Sequence, residues 1–188
     1  MKTSANRSLR PYRLLVLVPH RDARLPLRAW SASLFSAGLP GAWSFPWLIP
    51  LAAVKHPYSG EALKSLAHSM RRHIGGGKCT ATEAAAAVFP GSRGDTGIAV
   101  FGPALNIALP AHFFGDTAEP FSPLVIGAAL LYGNAPPALP PAPPISFRAA
   151  AVANMVIKPL VSGENRPDNY SFAWNIGAPH WLPRTKKP

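Results

Sequence analysis

The sequence predicts an α+β domain in which helices cover one side of a mostly antiparallel sheet. Three observations lead there. Apolar runs of strand length alternate with amphipathic helical stripes through the first 74 residues. From residue 98 onward, strand-like runs follow one another between glycine and proline breaks. Residues 29–54 and 120–147 carry no Asp, Glu, Lys or Arg, and each holds a short apolar core, at 48–51 and 124–127, of the kind a buried strand carries.

The first element is the apolar run 14–18, a buried strand stopped by Pro19. A helix follows, with Pro26 suited to its first turn, Leu27, Trp30, Leu34 and Ala37 at helical spacing, and Gly38 past its end. Residues 47–54 form the second strand; Pro50 lacks an amide donor, which demands an edge, a bulge or a nitrogen turned away from the neighbour. The next helix starts after Ser59, a cap, with Glu61 at the positive end of its dipole and Leu63, Leu66, Ala67, Met70 and Ile74 as its apolar stripe. An alanine-rich helix is predicted over 82–89, then strands over 98–101, 105–109 and 124–131. Residues 135–144 hold six prolines in ten positions and predict an extended polyproline connection between strands, whose PxxP spacing could alternatively dock on another protein. Strands at 149–157 and 170–176 close the domain, the second alternating Tyr170, Phe172, Trp174 and Ile176 with Ser171, Ala173 and Asn175.

The 188 residues suit one domain, read as a basic tail over 1–11, a single body over 12–183 and a basic tail over 184–188. Hydrophobic residues make up 48% and charged residues 14%, which excludes a disordered chain. The single cysteine, Cys79, cannot form an internal disulfide, so burial alone must hold the fold and a cytoplasmic location is expected. The N-terminal apolar run is too short for an export signal, and prolines and glycines interrupt the uncharged stretch 29–54, so no membrane span is expected. Nineteen basic against eight acidic residues give a formal charge of +11, and seven of the basic residues fall within the first 28 positions. Such a field attracts polyanions: RNA, DNA or an acidic membrane surface. It also serves simply to keep an apolar protein soluble.

The runs YRLLVLV at 12–18 and WSFPWLIPL at 43–51, with an amphipathic helix between them, resemble the first lobe of the 2H phosphoesterase superfamily, the 2'-5' RNA ligase and cyclic phosphodiesterase group. FSPLVIG at 121–127 is similar to its second motif strand, and the ending from 149 through Tyr170 resembles its last two strands. The resemblance implies a two-lobed, mostly antiparallel fold with helices on the outer side. It also implies two His-x-Thr/Ser motifs, whose imidazoles act as acid and base on a phosphodiester while the hydroxyls hold the phosphate. Here Leu48 and Pro50 occupy the first motif's positions, and Leu124 and Ile126 the second's. None of these four can transfer a proton or donate a side-chain hydrogen bond. The expectation is therefore a 2H-like scaffold without catalytic residues, more a binding protein than an enzyme. Its ligand would be RNA, a nucleotide or another phosphorylated molecule.

Arg13, Trp43 and Trp47 are the candidate ligand-binding residues, the tryptophans because an exposed indole stacks on a base. Trp174, Trp181 and Phe45 share that capacity; core packing is the plainer role for all five aromatics. The alternative function is a protein interaction or structural module using the apolar and Pro-rich stretches. Other chemistry fits less well. Gly75 to Thr80 resembles a phosphate loop, but the glycine required five residues before Gly77 is Arg72, and a helix precedes it. His68 and His73 are five apart and miss a shared helical face. Cys79 beside Lys78, with His112 in assistance, reads as a bystander thiol rather than a nucleophile, and His20 and His56 as loop histidines. No metal or cofactor is expected.

Overall fold

The computed structural model describes residues 11–37, 46–74, 79–81, 83–88, 97–102, 118–120, 125–127, 139–141, 145–147, 149–159 and 172–183. In chain order the elements are β1 (Tyr12–Pro19), α1 (Arg21–Ser36), β2 (Ile49–Val54), α2 (Gly60–Ile74), β3 (Cys79–Ala81), β4 (Glu83–Val88), β5 (Gly97–Gly102), β6 (Ala118–Pro120), β7 (Val125–Gly127), β8 (Ile145–Phe147), β9 (Ala149–Pro159), β10 (Phe172–Ile176) and β11 (His180–Trp181). The largest sheet runs β10-β9-β1-β2-β6, with β11 also on β9. β4-β5-β7 form a second sheet and β3-β8 a third, and every described pairing is antiparallel. The fold is α+β, as the sequence predicts.

β1 sits at the centre. Leu14, Leu15, Val16 and Leu17 are all between 0% and 4% exposed. Successive strand residues point to opposite sides, so four buried neighbours in a row mean that both faces of the sheet are covered. Leu15 and Leu17 share one face with their cross-strand partners Ala52, Ile49, Asn154 and Val152. Both helices pack there. Trp47, on the same side as Ile49 by alternation, donates its indole N–H to Ser31 Oγ of α1 at 2.7 Å, and Asn154 bonds the backbone of Tyr58 just ahead of α2. The opposite face carries Leu14 and Val16 with Ala53, Pro50, Met155 and Ala153.

Each helix forms because its apolar stripe has somewhere to go. α1 buries Ala23, Leu27, Trp30 and Leu34, and α2 buries Leu63, Leu66, Ala67 and Met70. Fully burying a leucine such as Leu27 or Leu34 contributes roughly 1.5–3 kcal/mol. Ser59 caps α2 as predicted: its hydroxyl accepts from Ala62 N–H at 3.2 Å and its carbonyl from Leu63 N–H at 2.9 Å.

Several elements differ from expectation. α1 starts at Arg21, so Pro26 lies inside the helix rather than in its first turn. The true start is His20, whose side chain accepts from Asp22 N–H at 3.4 Å and supplies the cap the sequence reading missed. The carbonyl that Pro26 leaves without its helical donor belongs to exposed Asp22, where water can bind it. The helix predicted over 82–89 is instead strand β4, paired residue for residue with β5. A helix that short gains little from alanine propensity, and the ladder outweighs it. β3, β6, β8 and β11 were not foreseen. Pro50 stands at a register shift between Leu15 and Val16 of β1, so the bulged alternative holds, on a strand flanked by β1 and β6. The strand predicted at 105–109 lies outside the described residues.

Candidate functional site

The motif positions come first. Leu48 is 3% exposed and Pro50 is buried. By alternation both belong to the face opposite the helices, among Leu14, Val16, Ala153 and Met155, which are at most 4% exposed. Ile126 is the middle residue of β7, paired with Val100, and Leu124 lies outside the described residues. β7 approaches β2 to within 8 Å between Cα atoms, so the strands carrying Pro50 and Ile126 are neighbours. Among the described residues the β2 side of this region is apolar and buried: none of them can exchange a proton or offer a phosphate a side-chain donor.

Of the candidate ligand residues, Arg13 and Trp47 are on described backbone and Trp43 is outside it. The structure does not bring Arg13 and Trp47 together. Ile49 pairs with Leu17, so Trp47 lies beyond the far end of β1 from Arg13, about 20 Å away at roughly 3.3 Å per strand residue. Trp47 is engaged in packing: its ring tilts at 43° against Trp30 with centroids 5.3 Å apart, and its N–H is bound to Ser31.

Arg13 has different company. Its Nη1 donates to the Lys55 carbonyl at 3.4 Å, tying the start of β1 to the end of β2. On its other side the β1–β9 register sets Arg13 opposite Val156 and Tyr12 opposite Ile157, which places Lys158 level with the start of β1. Ile157 in turn pairs with Trp174 of β10. Three adjacent strands thus deliver Arg13, Lys55 and Lys158 to one end of the sheet, with Lys55 and Lys158 exposed and their backbones about 10 Å apart at roughly 4.8 Å per strand. Tyr12 and Trp174 flank Ile157 in a row that alternation puts on the face of the sheet opposite Arg13 and Lys158, and Trp174 is 39% exposed. On β6, Glu119 pairs with Ala53.

Cations on neighbouring strands can neutralise phosphates. Sequence reasoning found Arg13 and Trp174 but missed Tyr12, Lys55 and Lys158. The available signal was that each stands at or just beyond the end of an apolar strand run, where pairing could align them.

Part of the Pro-rich segment is placed as well. Trp30 donates its indole N–H to the carbonyls of Pro140, at 3.3 Å, and Pro141, at 3.1 Å, so this part of the Pro-rich segment is held against α1. Burial pushes the Tyr58 hydroxyl above its ordinary pKa of 10.0.

No family model matches the sequence, and no curated protein matches it. The chain is similar to a solved structure described as a phosphoesterase, with 14% identity and a TM-score of 0.47 over 93% of this chain and 100% of that one. It is likewise similar to E. coli LigT complexed with 3'-AMP, with 15% identity and a TM-score of 0.45 over 93% of this chain and 100% of that one.

Proposed function

We propose that this chain is a non-catalytic binding protein that holds RNA, a nucleotide or another phosphorylated ligand through the basic end of its largest sheet. The observation that carries the reading is the gathering of Arg13, Lys55 and Lys158 from three adjacent strands. The burial of Leu48 at 3% exposure supports the non-catalytic half, because the position where the 2H resemblance requires an imidazole is both inert and shut away from solvent. A protein partner docked on the Pro-rich segment fits less well, since Trp30 already binds the carbonyls of Pro140 and Pro141.

The test is fluorescence anisotropy of a labelled single-stranded RNA titrated with the chain across a range of salt, beside an assay for hydrolysis of a 2',3'-cyclic phosphodiester. The reading expects binding that weakens steeply with salt, and no turnover. Binding absent at every salt concentration, or turnover abolished by one histidine substitution, contradicts it.

A further inference from the structure

We infer that the outward face of α1 is a landing surface for an anionic lipid bilayer. The helix turns Ala23, Leu27, Trp30 and Leu34 inward at 0–2% exposure. At roughly 100° per residue, the opposite arc holds Arg21, Arg24, Leu25, Arg28 and Phe35. Leu25 is 77% exposed and Phe35 54%, and the three arginines are exposed as well. Asp22 is the acid of this helix, and it lies 2.9 Å from His20 Nδ1 and 3.9 Å from Arg21 Nε.

The spacing selects the partner. Leu25 and Phe35 stand about 15 Å apart along the axis, with Arg28 between them, too far apart for one small pocket to take both. A flat surface offers anionic headgroups to the guanidiniums and apolar depth to Leu25 and Phe35. A nucleic acid satisfies the arginines and gives an exposed leucine nothing. The contact is peripheral: among the described residues no helix is long and apolar enough to cross a membrane. It is independent of the phosphate-binding reading, which uses other residues.

Co-sedimentation of the full chain with phosphatidylcholine vesicles, with and without phosphatidylserine, tests it. The wild type pellets with the anionic vesicles and not with the neutral ones. The L25S/F35S double variant loses about tenfold in partitioning, because its apolar anchors are gone. Its binding of single-stranded RNA stays unchanged, since neither residue belongs to the basic end of the sheet. R24Q/R28Q loses partitioning and makes the remainder less salt-sensitive. Three results overturn the inference: no partitioning onto anionic vesicles, partitioning that L25S/F35S leaves intact, or an equal loss of RNA binding in L25S/F35S, which makes the face a nucleic-acid surface instead.

Discussion

Asn154 and Tyr58 grip each other through two hydrogen bonds: Tyr58 N–H donates to Asn154 Oδ1 at 3.0 Å, and Asn154 Nδ2 donates to the Tyr58 carbonyl at 2.8 Å. A carboxamide is the side chain that reproduces both halves of a backbone pairing, so Asn154 extends the ladder sideways to the segment joining β2 to α2. That segment includes Lys55, whose carbonyl receives Arg13. The grip therefore positions a member of the candidate site as well as the start of α2.

Removing it should be costly. Asn154→Ala leaves a part-buried N–H and C=O without partners and is expected to lower the unfolding free energy by about 1–3 kcal/mol at an unchanged urea m-value. Asn154→Asp keeps the acceptor, loses the donor and sets a carboxylate beside a carbonyl, and should not restore stability. Equal stability of the alanine variant and the wild type would show that water replaces the contact.

Tyr58 gives a prediction in pH. Its folded pKa is raised above the ordinary 10.0 by burial, so the folded chain keeps a proton that the unfolded chain loses. The associated stability is fully present below the unfolded value and is lost as pH rises through the folded one. Unfolding free energy should fall more steeply above pH 10.0 in the wild type than in Tyr58→Phe, and the two curves should run parallel at lower pH.

Trp30 separates packing from hydrogen bonding. Trp30→Phe keeps a ring in the core but leaves the Pro140 and Pro141 carbonyls without their donor, at a cost of about 1 kcal/mol. Trp30→Ala also opens a cavity, and about 3–5 kcal/mol is expected by urea denaturation.

Leu48→His puts an imidazole in a place that cannot use it. An imidazole at a site 3% exposed among apolar neighbours should destabilise the chain by about 1–3 kcal/mol and confer no cyclic phosphodiester turnover. Turnover in this variant would mean that the region opens to solvent and ligand.

These residues also mark what a sequence can reveal. The stripes Leu27, Trp30, Leu34 and Leu63, Leu66, Met70 were readable because helical periodicity is local. The run at Ala84–Ala87 was misread because alanine favours a helix, while its structure is decided by β5, a partner residues away along the chain. Pro26 suggested a helix start, and only the geometry of His20 shows that the helix begins earlier. That leucines at 48 and 124 cannot move a proton was legible as chemistry, but not that Leu48 is sealed from water. The grouping of Arg13 with Lys55 and Lys158 was not legible at all, since it depends on the register between β1 and β9, strands from opposite ends of the chain.

The central claim is that cations assembled by strand register, and not the apolar region around Leu48, hold a phosphate-bearing ligand. The direct measurement is the slope of log binding constant against log salt for single-stranded RNA, compared between the wild type and Arg13→Gln/Lys55→Gln/Lys158→Gln, with exposed Lys64→Gln as control. If each cation neutralises one phosphate, the triple variant's slope should be shallower by about 2 and the control's nearly unchanged. Identical slopes for the wild type and the triple variant would contradict the account.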